Sequence, residues 1–132
     1  MLRGALAEVM DGIRSTAEGD LLDLIKRYRL PIPMLNPRLY FNGEFMASPD
    51  EWWPDAGVAA EVDSREYHFS PDDWQRTMER HARMSSAGII VLHFTPAQIR
   101  NQPRELAETI RRALSSGRAR PRLLIEARPA SG

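Results

Sequence analysis

The apolar positions change their period along the chain, and each change predicts an element. Leu6, Val9, Met10 and Ile13 recur at helical spacing across residues 2–13, and Ala17, Leu21, Leu24, Ile25 and Tyr28 repeat the pattern. Ser15-Thr16-Ala17-Glu18 matches a capping box, so the second helix is expected to begin near Ser15. Pro31 and Pro33 end it, because each drives the residue before it out of helical geometry. The period then shortens. Arg38-Leu39-Tyr40-Phe41 and Glu44-Phe45-Met46-Ala47 flank Asn42-Gly43, a pair suited to the positive backbone angles of a type I′ turn, which predicts a hairpin. Trp52 to Gly57 reads as a turn into a strand over 58–63, completing a three-stranded meander.

Ser70-Pro71-Asp72-Asp73 opens a helix with a capping hydroxyl, a first-turn proline and acids at the positive end of the helix dipole. Its buried side is expected to carry Trp74, Met78, Ala82 and Ser85, with Gly88 as its stop. The apolar run Ile89-Ile90-Val91-Leu92 predicts a buried strand beside the meander. A last helix from Pro103 to Ser116 turns Leu106, Ile110, Ala113 and Leu114 inward. Residues 118–132, rich in Arg and Pro, predict a mobile tail in which Leu123-Leu124-Ile125 is the segment suited to dock as an extra edge. The order helix, three strands, helix, strand, helix predicts an α/β fold, one mixed sheet flanked by helices, in a single domain over 1–117.

Candidate chemistry gathers around the strand at 58–63. Alternation puts Val58, Ala60 and Val62 on one face and Ala59, Glu61 and Asp63 on the other, with the two acids roughly 7 Å apart. Arg65 continues the acidic row, and Asp50 lies one connection earlier, near enough to return on a neighbouring strand. Spaced carboxylates with a cation are what metal-dependent phosphodiester hydrolysis requires.

Composition narrows the setting. In 132 residues, 18 basic and 18 acidic side chains cancel, so any nucleic-acid surface must be local. The absence of cysteine excludes thiolate catalysis, disulfides and cysteine zinc sites, and the three histidines are too scattered for a zinc motif. With no apolar run of membrane-spanning length and no signal-peptide layout, the expectation is a soluble cytoplasmic protein. Lys26 is the single lysine beside seventeen arginines, a bias in keeping with a GC-rich genome.

The element order, Pro49-Asp50, Trp53-Pro54-Asp55-Ala56, Glu61-Val62-Asp63, Tyr67-His68 and Ala87-Gly88-Ile89 leading into Val91-Leu92-His93-Phe94 resemble the restriction-endonuclease-like superfamily, with its PD and D/E-x-K signature. More closely, residues 15–116 resemble the small bacterial very-short-patch-repair-endonuclease-like domain found in abortive-infection-type toxin–antitoxin proteins. The resemblance implies an α-β-β-β-α-β core acting as a Mg2+- or Mn2+-dependent endonuclease on DNA. Asp50 and Glu61 would hold the metal with the Val62 carbonyl, Glu18 would reach in from the helix, and Asp63 or His68 would orient water or act as acid or base. The signature lysine is replaced by Asp63, for which Arg65 is the substitute on the same strand face and Lys26 a weaker one. Related proteins often carry a DNA-binding winged helix ahead of this domain, so a separate or fused DNA-binding domain is an expected companion, whether the chain is a fragment or stands alone.

Plainer readings stand beside these. Glu18 is explained by its capping box, Pro49-Asp50 is an ordinary turn pair, and paired acids on a strand often face water. Trp52 and Trp53 more often cover a core edge than stack a base, and Arg76, Arg80 and Arg83 suit a solvated helix face. A nuclease fold without catalysis, binding nucleic acid or a partner, is the alternative function, and a protein-interaction or dimer domain is the third.

Overall fold

A computed structural model describes residues 16–63 and 70–130. Its elements in chain order are α1 (16–27), β1 (Met34–Leu35), β2 (Arg38–Phe41), β3 (Glu44–Ala47), β4 (Glu51–Trp53), β5 (Val58–Val62), α2 (Pro71–Ser86), β6 (Ile90–Phe94), α3 (Pro96–Asn101), α4 (Pro103–Arg118) and β7 (Glu126–Arg128). The expected helix over 2–13, the Ser15 end of the capping box, Arg65 and His68 lie outside the described residues. No described helix is long and apolar enough to cross a membrane.

The protein is α/β with a mixed sheet flanked by helices. That sheet has the order β1-β4-β5-β6, antiparallel except for β5 and β6, which run parallel and are joined through α2 as parallel neighbours require. The single meander expected from the sequence is corrected: the β2–β3 hairpin belongs to a second, three-stranded sheet of order β3-β2-β7. The hairpin itself forms as predicted, with φ of 53° at Asn42 and 81° at Gly43. Trp52-Trp53, expected in a turn, instead form β4, because both indoles are buried and strand pairing with Ala59 and Val58 satisfies the backbone around them.

Alternation along β5 divides the interior as predicted. Val58, Ala60 and Val62 join Trp53 against Leu21, Leu24 and Ile25 of α1 and Leu106, Ile110 and Leu114 of α4. Ala59 faces the other way, toward Trp52, Leu39 of β2, Met46 of β3 and Met84 of α2. One face of the mixed sheet is therefore covered by α1 and α4, the other by α2 and the small sheet. The Trp53 indole N–H donates to the Pro31 carbonyl at 2.8 Å, which ties the proline segment after α1 to this core.

Three further expectations change. Within α2 only Met84 is buried, whereas Trp74, Ala82 and Ser85 are exposed; the inward side carries the polar Arg80 and His81, which an apolar pattern cannot reveal. The segment after α4 packs against the protein: Leu123, Ile125 and Ala127 lie on the core around Trp52, and residues 126–128 rather than 123–125 form the added strand. α3 is added to the expected element order, opened by the capping box Thr95-Pro96-Ala97-Gln98 with both reciprocal hydrogen bonds present. Thr95→Ala is expected to cost about 1 kcal/mol in chemical denaturation, an unchanged midpoint counting against the cap.

Candidate functional site

Glu18 of α1 and the consecutive acids Asp50 and Glu51 influence one another at the strand-end edge of the mixed sheet, where β4 begins and β5 ends. Leu21, Leu24 and Ile25 seat α1 on the core, and Glu18, one turn before Leu21, is carried toward the sheet on the same helical side. Asp50 immediately precedes β4, and its Oδ2 accepts the Val62 backbone N–H at 2.8 Å, a bond that spans to the end of β5. Glu51 opens β4 two residues before Trp53, so alternation points it to the face covered by α1.

These acids perturb one another. Burial pushes the Asp50 carboxyl up to about 7, opposed by the Val62 amide and reinforced by the charge of Glu18, a hydrogen bond to Glu18, and the charge of Glu61. Glu51 is pushed up to about 8, mainly by burial and then by Asp50 and Glu18. It is 1% exposed, and its Oε2 is buried without a hydrogen-bond partner among the described residues. An unpartnered buried carboxyl oxygen beside two other acids is costly when ionised, and a proton or a cation relieves that cost.

Glu61 sits on the opposite face of β5, and α2 is built to meet it. Its Oε1 lies 2.6 Å from His81 Nε2 and its Oε2 3.1 Å from Arg80 Nη2. The parallel register pairs Glu61 with His93 of β6, placing that ring edge-on to His81 at a centroid distance of 4.9 Å, and His93 Nε2 is 3.7 Å from Asp63 Oδ2. Arg80, His81 and His93 thus surround the acids of β5 with nitrogen-bearing groups.

The structure therefore groups Glu18 with Asp50, adds Glu51, which the sequence reading did not single out, and keeps Glu61 and Asp63 in a separate histidine–arginine network. Both Glu61 oxygens are engaged by Arg80 and His81, contacts with which a cation at Asp50 would compete for Glu61. Val62 meets Asp50 through its amide, whereas the sequence reading assigned its carbonyl to a metal. Glu51 carried a usable signal: an acid between Asp50 and two tryptophans on a three-residue strand. Among the described residues no group of three or more His, Asp or Glu forms a ready-made metal ligand set. Trp52 and Trp53 are 2% and 1% exposed and stack no base.

No family model matches the chain, and no solved structure matches it significantly. Two Mycobacterium tuberculosis proteins are similar to it: the uncharacterized protein MT2308 of strain CDC 1551 / Oshkosh and the uncharacterized protein Rv2248 of strain ATCC 25618 / H37Rv. Each is 33% identical over 89 residues, which cover 67% of this chain and 33% of the relative. The chain thus spans about a third of the length of the curated relatives it matches.

Proposed function

We propose that this chain is a nuclease-like domain that hydrolyses DNA phosphodiester bonds with Mg2+ or Mn2+ bound at the Glu18, Asp50 and Glu51 edge. The observation that carries the reading is the buried Glu51 oxygen without a partner among the described residues, beside an Asp50 that is hydrogen-bonded to Glu18, with both Asp50 and Glu51 held above the ordinary carboxylate range. An all-oxygen donor set suits a hard divalent ion, which needs only one or two carboxylates when waters and substrate phosphate complete its shell. Such an ion supplies an activated water and neutralises charge on the phosphate.

The chain's own residues have separable roles in this reading. The Val62 amide fixes the Asp50 carboxylate, and Glu18 and Glu51 supply the remaining oxygens. Arg80 of α2, held by Glu61, provides positive charge beside the strand that leads to Asp63, where the signature has lysine, the role for which Arg65 is the substitute in sequence. Asp63, beside His93, and His68, outside the described residues, are the groups for orienting the attacking water. The restriction-endonuclease-like assignment and a phage-defence or toxin–antitoxin setting rest on the sequence resemblance alone.

A second reading is favoured by one observation: both oxygens of Glu61 are engaged by Arg80 and His81, as in a structural ion network. That is what a non-catalytic nuclease fold, retained to bind nucleic acid or a partner, would show. Incubating plasmid and single-stranded DNA with the chain in Mg2+, Mn2+ or EDTA separates the two. The proposal expects cation-dependent cleavage that Asp50→Asn abolishes; binding without cleavage under every condition would leave the second reading in its place.

A further inference from the structure

The three-stranded sheet presents a face that the acid site does not use. Leu39, Met46 and Ala127 turn inward to the core around Trp52 and Met84, so the alternate positions Arg38 and Tyr40 of β2, Phe45 of β3, and Glu126 and Arg128 of β7 point outward. On that face Tyr40 and Phe45 meet edge to face at a centroid distance of 5.8 Å. The Arg128 guanidinium lies 4.0 Å from the Tyr40 ring centroid, and that of Arg38 lies 5.5 Å from the centroid of Phe45. Phe45 is 53% exposed, far more than a core aromatic.

The register adds an independent observation. Arg38 and Arg128 are direct cross-strand partners in β2 and β7, and like charges directly opposite one another destabilise a sheet, a cost that a bound phosphate would lower. Glu126 pairs with Arg128, and an exposed ion pair of that kind contributes little. Beside the face, an open cleft of about 510 Å³ is bordered by Tyr40, Asn42, Gly43, Arg122 and Glu126, so a further arginine lies next to the hairpin turn.

We infer that the outer face of the β3-β2-β7 sheet is a binding platform for single-stranded nucleic acid, with a base stacked on Phe45 and backbone phosphates held by Arg38 and Arg128. The chemistry selects this partner over a duplex or a simple polyanion. Flat exposed rings recognise unstacked bases, which a duplex keeps inside, whereas the opposed arginines recognise phosphate. Two arginines against the single acid Glu126, with two aromatics, leave this sheet face locally basic in a chain of zero net charge. The platform does not depend on the acid site, so it is testable with divalent ions removed.

The experiment is fluorescence anisotropy with a labelled ten-nucleotide oligothymidylate in EDTA across a salt series, using the wild-type chain, Phe45→Ala, the double variant Arg38→Ala/Arg128→Ala and its lysine counterpart. Phe45→Ala is expected to weaken binding about tenfold at every salt concentration, as loss of one stacked base does. The double alanine variant is expected to reduce the slope of log affinity against log salt by about 1.4, two phosphate contacts on a single strand, and the lysine pair to retain it. Thermal melts confirm that these exposed substitutions leave the fold intact. No binding of the oligonucleotide would overturn the platform, as would binding that Phe45→Ala leaves unchanged or an unlabelled duplex that competes as well as the single strand.

Discussion

Gly117→Ala is expected to destabilise the protein by about 3 kcal/mol, the upper end of ordinary overpacking, and to lower its melting temperature by roughly 10 °C. Gly117 is buried near the end of α4, where the helix lies directly on the turn that feeds β5. A methyl group there would overlap the Ala56 carbonyl oxygen and come within 2.8 Å of the Ala56 carbonyl carbon. Backbone cannot swing aside as a flexible side chain does, and this turn is anchored: Gly57 N–H donates to the Trp53 carbonyl at 2.9 Å, and Arg120 donates to the Ala56 and Gly57 carbonyls. α4 would have to lift, pulling Ile110 and Leu114 from the core beneath β5. In an unobstructed helix the same substitution stabilises by about 1 kcal/mol. The sign alone is therefore decisive in a denaturant melt, and a stabilised variant would refute the close approach.

With divalent ions chelated, stability is expected to fall as pH rises from about 4 through 8. Asp50 and Glu51 have folded pKa values of about 7 and about 8, above their ordinary 3.8 and 4.5. Between the two values the folded state binds more protons than the unfolded one, so raising pH favours unfolding. The stabilising contribution is complete below about pH 4 and lost as pH passes the folded values. Each group contributes on the order of 4 kcal/mol by this linkage, less when the two are counted together because they repel each other. Glu51→Gln, which stays neutral, should flatten the curve and stabilise the protein at pH 9 while changing little at pH 5. Added Mn2+ should restore stability at pH 9 in the wild-type chain by binding the folded state alone. A melting temperature that rises between pH 5 and 9 in EDTA would show that these acids are not held as described.

The sequence made the local elements legible where short-range chemistry decides them. The Asn42-Gly43 hairpin, the Ser70-capped helix and the inward residues of α4 appear in the structure, and the apolar run at 89–92 forms a strand over 90–94 that is half-buried rather than buried because it is the last strand of the described sheet. It did not reveal how strands are shared between sheets, because β2 is equally suited to pair with either partner and only the packing of Leu123, Ile125 and Ala127 brings β7 to it. The inward face of α2 was misread for a related reason. Arg80 and His81 point inward to satisfy Glu61, a partner nineteen and twenty residues away, and an apolar pattern does not register a polar contact.

The candidate site divides along the same line. Asp50, Glu61 and Asp63 were visible as acids around one strand, and the face shared by Glu61 and Asp63 is the one predicted. Strand alternation does not say which carboxylates from other elements arrive, and Glu51 reaches Asp50 and Glu18 only because β4 replaces the expected turn. The tryptophans lie in the core, as the plainer sequence reading expects, while exposed Phe45 and half-buried Tyr40 occupy the outer sheet face.

The most direct test of the acid site is calorimetric titration of Mn2+ into the wild-type chain, Asp50→Ala, Glu51→Gln and Glu61→Ala at pH 8, without substrate. A metal site at the Glu18, Asp50 and Glu51 edge predicts stoichiometric binding that Asp50→Ala abolishes and Glu51→Gln weakens about tenfold or more, as loss of one charged ligand does, with proton release on binding. Glu61→Ala reports whether Glu61 exchanges its contacts to join the ion. Absence of binding by the wild-type chain, or binding that survives Asp50→Ala unchanged, would contradict the account.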